Sequence, residues 1–461
     1  MRSLAMLKPV KSILQSVALL LLGNGLLNTL LTLRGTDEGF SSAVLGIIMS
    51  GYFVGFICGT WVSGRLIRRM GHIRTFGFCA SICASVALLH LIFVNPWVWL
   101  PLRVVYGLSF ITLITVIESW LNSQAASHER GRIFAVYMVV NLGALATAQQ
   151  LLRLSSPQGF LLFVIIAILI SWALLPITLT RRVQPTIPER PKSSLRALLG
   201  FAPLAVASAA LSGLAMGAFW SMTPVYATQL GFDIGQFGNA GLLKISNFIF
   251  CDYAGLLGFD IGGVGLVMSV AIIGGALLQI PIGRFSDKHD RPRVMTWVVL
   301  LAALIAAGMP FAPSHEVLLG LYFIWGGLAF SLYPLAVAQL IDQLHPDEIV
   351  SGSADMLVMH GAGCSVAPIA AGSLMTAVGS QGLPVYIACV FTLLGLYAIY
   401  RRRHVTALIT HTAHFEPMVQ SSAGALEMIF DDTQRDLFDD PSFYEEDERE
   451  RLAGLFKPSN S

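Results

Sequence analysis

Among the ionisable side chains inside long apolar runs of this sequence are Arg103, Glu118, Asp355 and His360. A charge in such a run is costly to bury and faces a cavity or a partner. Arg103 falls in the string Arg103-x-x-Tyr106-Gly107, and Glu118 follows 15 residues later. On one helix that separation is about 22 Å at 1.5 Å per residue, so the two cannot pair. Glu118 then needs another partner, a proton or cavity water. The alternative is structural: Arg103 satisfies backbone carbonyls, and Glu118 snorkels to the nearer surface. His360 lies five residues after Asp355. Such a histidine titrates near neutral pH or serves as a hydrogen-bonded packing residue, and both readings stand.

The elements that carry these groups are membrane spans. A spanning helix needs about 20 predominantly apolar residues. Twelve such runs are expected, near 12–33, 42–63, 75–95, 97–121, 132–152, 159–179, 202–227, 263–282, 294–313, 316–341, 354–378 and 383–400. The chain has 461 residues, 55% hydrophobic and only 12% charged, against roughly 25% charged in soluble domains. The first run follows Arg2, Lys8 and Lys11 like a signal peptide. It is too long, lacks a small-x-small cleavage site and is followed at once by further spans, so it reads as an uncleaved span. The Pro- and Arg-rich stretch 181–201 separates six runs from six as a linker.

Charge sets the expected orientation. With the N-terminus in the cytoplasm, 21 Lys/Arg of the connections fall on the cytoplasmic side, and Arg34, Arg153 and Lys244 on the outer side. That split puts both termini inside. Residues 1–404 hold 25 Lys/Arg and 15 Asp/Glu, whereas 405–461 hold 4 and 12. A basic membrane body thus carries an acidic tail over 401–461, expected to be solvated and partly disordered. The basic residues sit in short connections between apolar runs, which argues against nucleic acid as a partner.

The halves repeat. Gly64, Arg65, Arg69 and Arg74 recur 219 residues on as Gly283, Arg284, Lys288 and Arg293, and Gly107-Leu108-Ser109-Phe110 recurs as Gly327-Leu328-Ala329-Phe330. Parallel repeats of apolar helices are a transporter signature. Earlier in the chain the offset is 192, with Gly25 on Gly217, so 27 residues are inserted after the seventh span. The string Gly-Phe-Asp-Ile-Gly at 231–235 and again at 258–262 brackets this insertion, 231–257. It is expected on the outer face, not as a thirteenth span. A further crossing would place Arg284, Lys288, Arg291, Arg293 and Arg401–Arg403 outside, against the positive-inside rule.

The two basic connections resemble the Gly-x-x-x-Asp-Arg/Lys-x-Gly-Arg loop motif of the major facilitator superfamily. The second keeps Gly283, Asp287, Lys288 and Arg291, with Asp290 in place of Gly. The first keeps Gly64, Arg69 and Gly71, with Arg68 in place of the acid. That change, together with Arg103…Glu118-Ser119 and Arg130-Gly131-Arg132, is similar to the YcaD-like branch, whose members are classed as transporters. The resemblance implies an all-α fold of twelve helices in two six-helix bundles, 1–180 and 202–400, moving a small solute by alternating access. It places Arg103 on the fourth-helix motif Arg-x-x-x-Gly, whose Arg tunes a carboxylate in proton-coupled relatives. It implies that Asp287 caps a helix of the other half, here the fifth span after Gly131. No acid lies in the body of the first span, which weakens a simple proton relay. The fifth helix, Asn141 to Ala148, has no Pro where the drug-antiporter branch carries Gly-Pro.

In that fold the cavity-lining candidates are Asn24, Asn28, Tyr137, Asn141, Gln149, Gln150, Trp220, Gln279, Trp325 and Tyr333. As a set they describe a mostly neutral cavity with aromatic walls. No P-loop, metal cluster or nucleophile constellation occurs, so ATP-driven transport, enzyme chemistry and a bound cofactor all lack support. The six cysteines read as apolar packing residues without a disulfide framework. The expected partners are a small solute, protons and membrane lipid, for a monomer in the cytoplasmic membrane. The rival reading is a non-transporting sensor or scaffold that signals through the acidic tail.

Overall fold

A computed structural model describes residues 10–124, 130–178, 198–200, 202–232, 263–344, 349–404, 415, 417 and 418. The described residues form twelve helices long and apolar enough to cross a membrane. In order they are α1 (Lys11–Asp37), α2 (Ser42–Met70), α3 (His72–Ile92), α4 (Pro96–Gln124), α5 (Arg130–Leu151) and α6 (Leu161–Thr178). The second six are α7 (Pro203–Gln229), α8 (Val264–Asp287), α9 (Arg291–Gly308), α10 (His315–Ile341), α11 (Ile349–Val378) and α12 (Gly382–His404). The protein is an all-α, multi-pass membrane protein. Twelve crossings return α12 to the face on which α1 begins.

Local chemistry sets the ends. Ser41 accepts the Val44 N–H at 3.3 Å to start α2, and Ser314 accepts that of Val317 at 3.4 Å to start α10. Pro203 and Pro292 stand in first turns, where no N–H is needed. The helices are apolar all round, so one side of each packs inward and the other presents bare Trp61, Trp97, Trp172 and Trp297. In water such rings would aggregate, whereas in a bilayer they face lipid.

The expected basic connections are helix ends, not loops. Helix α2 continues through Gly64, Arg65 and Arg69 to Met70, and only Gly71, at φ 80°, breaks it before α3. Helix α8 continues through Gly283 and Arg284 to Asp287, Lys288 is its C-cap, and Arg291 already opens α9. The cause is electrostatic: basic side chains suit the negative end of a helix dipole, so the apolar run predicts where the hydrocarbon ends, not where the helix ends.

The two sets of six meet through α2 on α11, α5 on α8 and α1 on α7. On the face away from the termini this contact is tight. A Cβ at Gly46 would overlap the Pro368 carbonyl, the Ala43 N–H donates to Thr376 Oγ1 at 3.0 Å, and Gln150 Nε2 donates to Ser269 Oγ at 2.8 Å. Residues 181–197 of the expected linker, 233–262 of the insertion region and most of the tail lie outside the described residues.

Candidate functional site

A cavity of about 770 Å³, counting its mouth, lies between α1, α2, α4, α5 and α7. Pairs four residues apart on each helix aim at it: Asn24 and Asn28, Tyr52 and Phe56, Phe110 and Ile114, Asn141 and Leu145. Trp220 and Ser221 of α7 add a wall from the second half. Arg103 is the charged residue of the lining, and it is 1% exposed.

Helix α4 delivers Arg103 between two rings. Its guanidinium carbon stands 4.8 Å from the centre of Tyr52 and 5.7 Å from that of Tyr106. Nη2 donates to Asn28 Oδ1, while Nε and Nη1 are buried with no hydrogen-bond partner among the described residues. Two desolvated cation–π contacts are worth about 2 kcal/mol or more each. Burying an ion costs several kcal/mol, and each orphaned donor adds about 1–3 kcal/mol or more. Arg103 is therefore under-compensated, and the cavity carries net positive charge rather than the neutral character expected from its amides and rings.

Glu118, further along the same helix, is fully buried and accepts a hydrogen bond from Tyr137 Oη at 2.8 Å. Tyr333 of α10, across the junction between halves, lies within electrostatic reach of that carboxylate. The Tyr333 ring rests 4.7 Å from that of His360, whose Nδ1 lies 3.0 Å from Ser212 Oγ and 3.1 Å from the Ala209 carbonyl. Asp355 is half-buried on α11. Glu118, Tyr137, Tyr333 and His360 thus form a polar stack apart from the Arg103 cavity.

The other candidates divide. Asn24, Asn28, Asn141 and Trp220 line the cavity. Gln149 accepts from Thr29 Oγ1 at 2.7 Å and ties α5 to α1. Gln150 bridges the halves through Ser269, and Gln279 Nε2 donates to the Phe330 carbonyl at 3.0 Å. Trp325 is fully buried against Phe219, Tyr322 and Phe391. Tyr52, Phe56 and Phe110 were not singled out by the sequence, although their spacing of four on polar-bearing helices is a usable signal.

At the face that carries the termini, Arg291 binds both oxygens of Asp342 at 2.9 and 2.8 Å and Asp287 at 2.9 Å, clamping α8, α9 and α10. Asp287 Oδ1 also accepts the backbone N–H of Phe415, from the acidic tail, at 2.9 Å. The Phe415 ring lies directly on Gly283, where any Cβ would overlap it, and Phe415 and Met418 are buried. Asp287 is expected to cap the fifth span after Gly131; that span begins at Arg130, and residues 125–129 just before it lie outside the described residues. Among the described residues no cluster of His, Cys, Asp and Glu could hold a metal.

Comparison with known proteins agrees with this architecture. The Major Facilitator Superfamily profile matches residues 13–251 and 234–444. An uncharacterised MFS-type transporter YcaD of Salmonella newport is 30% identical over 393 residues, covering 83% of this chain and 93% of its own. That of Escherichia fergusonii is 27% identical over 409 residues, covering 88% and 98%. Among solved structures, the nucleoside transporter NupG superposes with a TM-score of 0.66 at 17% identity, covering 86% of this chain and 100% of that one. A bacterial homologue of the human lysosomal transporter Spinster, inward-facing and occupied, superposes at 0.64 and 14% identity, covering 86% and 98%. This chain belongs to the major facilitator superfamily of membrane transporters.

Proposed function

We propose that the protein is a secondary transporter that moves a small solute across the bacterial inner membrane by alternating access. Two bundles, 1–180 and 202–400, rock about the Arg103 cavity, with both termini and the acidic tail in the cytoplasm and the insertion 231–257 on the outer face. The observation that carries this reading is a buried, charged cavity under a junction that is tight on one side. The contacts of Gly46, Ala43 and Gln150 across the halves lie at helix ends far from the termini. In the proposed orientation that is the outer side, and the conformation is inward-facing. Glu118, held by Tyr137 beside the junction, is the group proposed to carry the coupling proton.

The test needs no substrate. Trp220 lines the cavity and is partly exposed, and Trp220→Cys in a background without native cysteines reports access to it. An impermeant maleimide should label that site in inside-out vesicles and far more slowly in right-side-out cells. Equal labelling from both sides, or from neither, contradicts the reading. A sensor that signals through the tail is the second reading, favoured by the seat of Phe415 on Gly283. Truncation after Arg403 discriminates, because loss of the phenotype with retained flux would support signalling.

A further inference from the structure

Resting on the transporter reading, the geometry points to a substrate class: a monocarboxylate with an apolar or aromatic body, held by Arg103. Arg103, a lining residue, has two buried nitrogens with no hydrogen-bond partner among the described residues. Each fork of the planar group includes one of them, so a carboxylate admitted by a shift of the side chain or of its flanking rings would supply the missing acceptor while Asn28 keeps its own hydrogen bond.

The lining also excludes other classes. Among the described residues it contains no Asp or Glu, so an amine or a zwitterionic amino acid would bury an ammonium group with no counter-charge there. Among the described residues it contains no Lys, His or second Arg, so a phosphate ester or dicarboxylate would leave about one negative charge uncompensated. A neutral solute would leave Arg103 as under-compensated as it is in the empty cavity. The intramolecular carboxylate Glu118 cannot serve, since it stands about 22 Å along the same helix and is engaged by Tyr137.

The rest of the cavity describes the body of the molecule. Tyr52, Phe56, Phe110 and Trp220 supply aromatic walls, which favour stacking on a flat ring. Asn24 and Asn141 each present a buried Oδ1 without a partner, places for one or two hydrogen-bond donors on the ring.

The experiment measures binding, not transport. Purified full-length protein in nanodiscs is titrated with benzoate, phenylacetate, indole-3-acetate, their primary amides, benzylamine and phenyl phosphate, with thermal unfolding and tryptophan fluorescence as readouts. At least one acid should bind saturably, its amide roughly tenfold or more weakly, and the amine and phosphate not at all. Arg103→Lys should weaken the acid, and Arg103→Gln should erase its preference over the amide. Equal binding of acid and amide, a preference for amine or phosphate, or no binding by any acid overturns the assignment. The acid–amide comparison on the unaltered protein decides even where a variant fails to fold. Saturable acid binding without flux in proteoliposomes would instead sink the transporter reading and leave the carboxylate site standing.

Discussion

At the scale of single residues, the account turns on a charge the fold does not neutralise. Arg103 has two ring faces and one amide oxygen for company, and buried ions without a matched partner lower stability. Arg103→Met should therefore raise unfolding stability by about 1–3 kcal/mol while abolishing acid binding; a loss of stability would mark Arg103 as structural. Glu118 makes the opposite case: Glu118→Gln keeps an acceptor for Tyr137 but cannot release a proton. Driven uptake should fall to background while exchange of solute persists, as measured by counterflow; loss of both would assign Glu118 to the scaffold. Arg103 and Glu118 were legible in the sequence because a charge in an apolar run stands out. Tyr52 and Tyr106 were not, because an aromatic residue in a membrane helix is unremarkable until folding stacks it on a guanidinium. Gln149 and Gln150 look alike in sequence, yet one ties α5 to α1 and the other bridges to α8; helix rotation decides that, and periodicity this weak does not reveal it.

At the scale of elements, all twelve spans could be read from hydropathy because the bilayer demands their length. Their ends could not: helices α2 and α8 run past the apolar limit until Gly71 and Lys288 stop them. The repeated glycine then acquires different work in each half. A Cβ at Gly64 would meet only the Arg68 guanidinium at 3.5 Å, whereas one at Gly283 would overlap the Phe415 ring. Phe415 of the tail thus sits on the α8–α9 junction and shares Asp287 with Arg291. Nothing in the sequence links residues 415 and 283, since the contact depends on the shape of the seat and on one backbone hydrogen bond to Asp287. Gly283→Val should unseat Phe415 without breaking the Arg291–Asp342 pair. Limited proteolysis should then remove the tail several-fold faster than in the unaltered protein. Unchanged digestion would show that the seat contributes nothing to holding it.

At the scale of the whole molecule, the two halves meet by close backbone approach on the side away from the termini. If that junction opens once per transport cycle, a bond across it must stop transport. Ala43 and Thr376 lie in contact there, with the backbone N–H of one 3.0 Å from the hydroxyl of the other. The most direct measurement is counterflow of a radiolabelled aromatic acid into proteoliposomes that carry Ala43→Cys and Thr376→Cys in a background without native cysteines. Oxidation to the disulfide should reduce uptake to that of protein-free vesicles, and reduction should restore it. Uptake that is the same in the oxidised and reduced states, with the cross-link verified, would contradict alternating access about the Arg103 cavity.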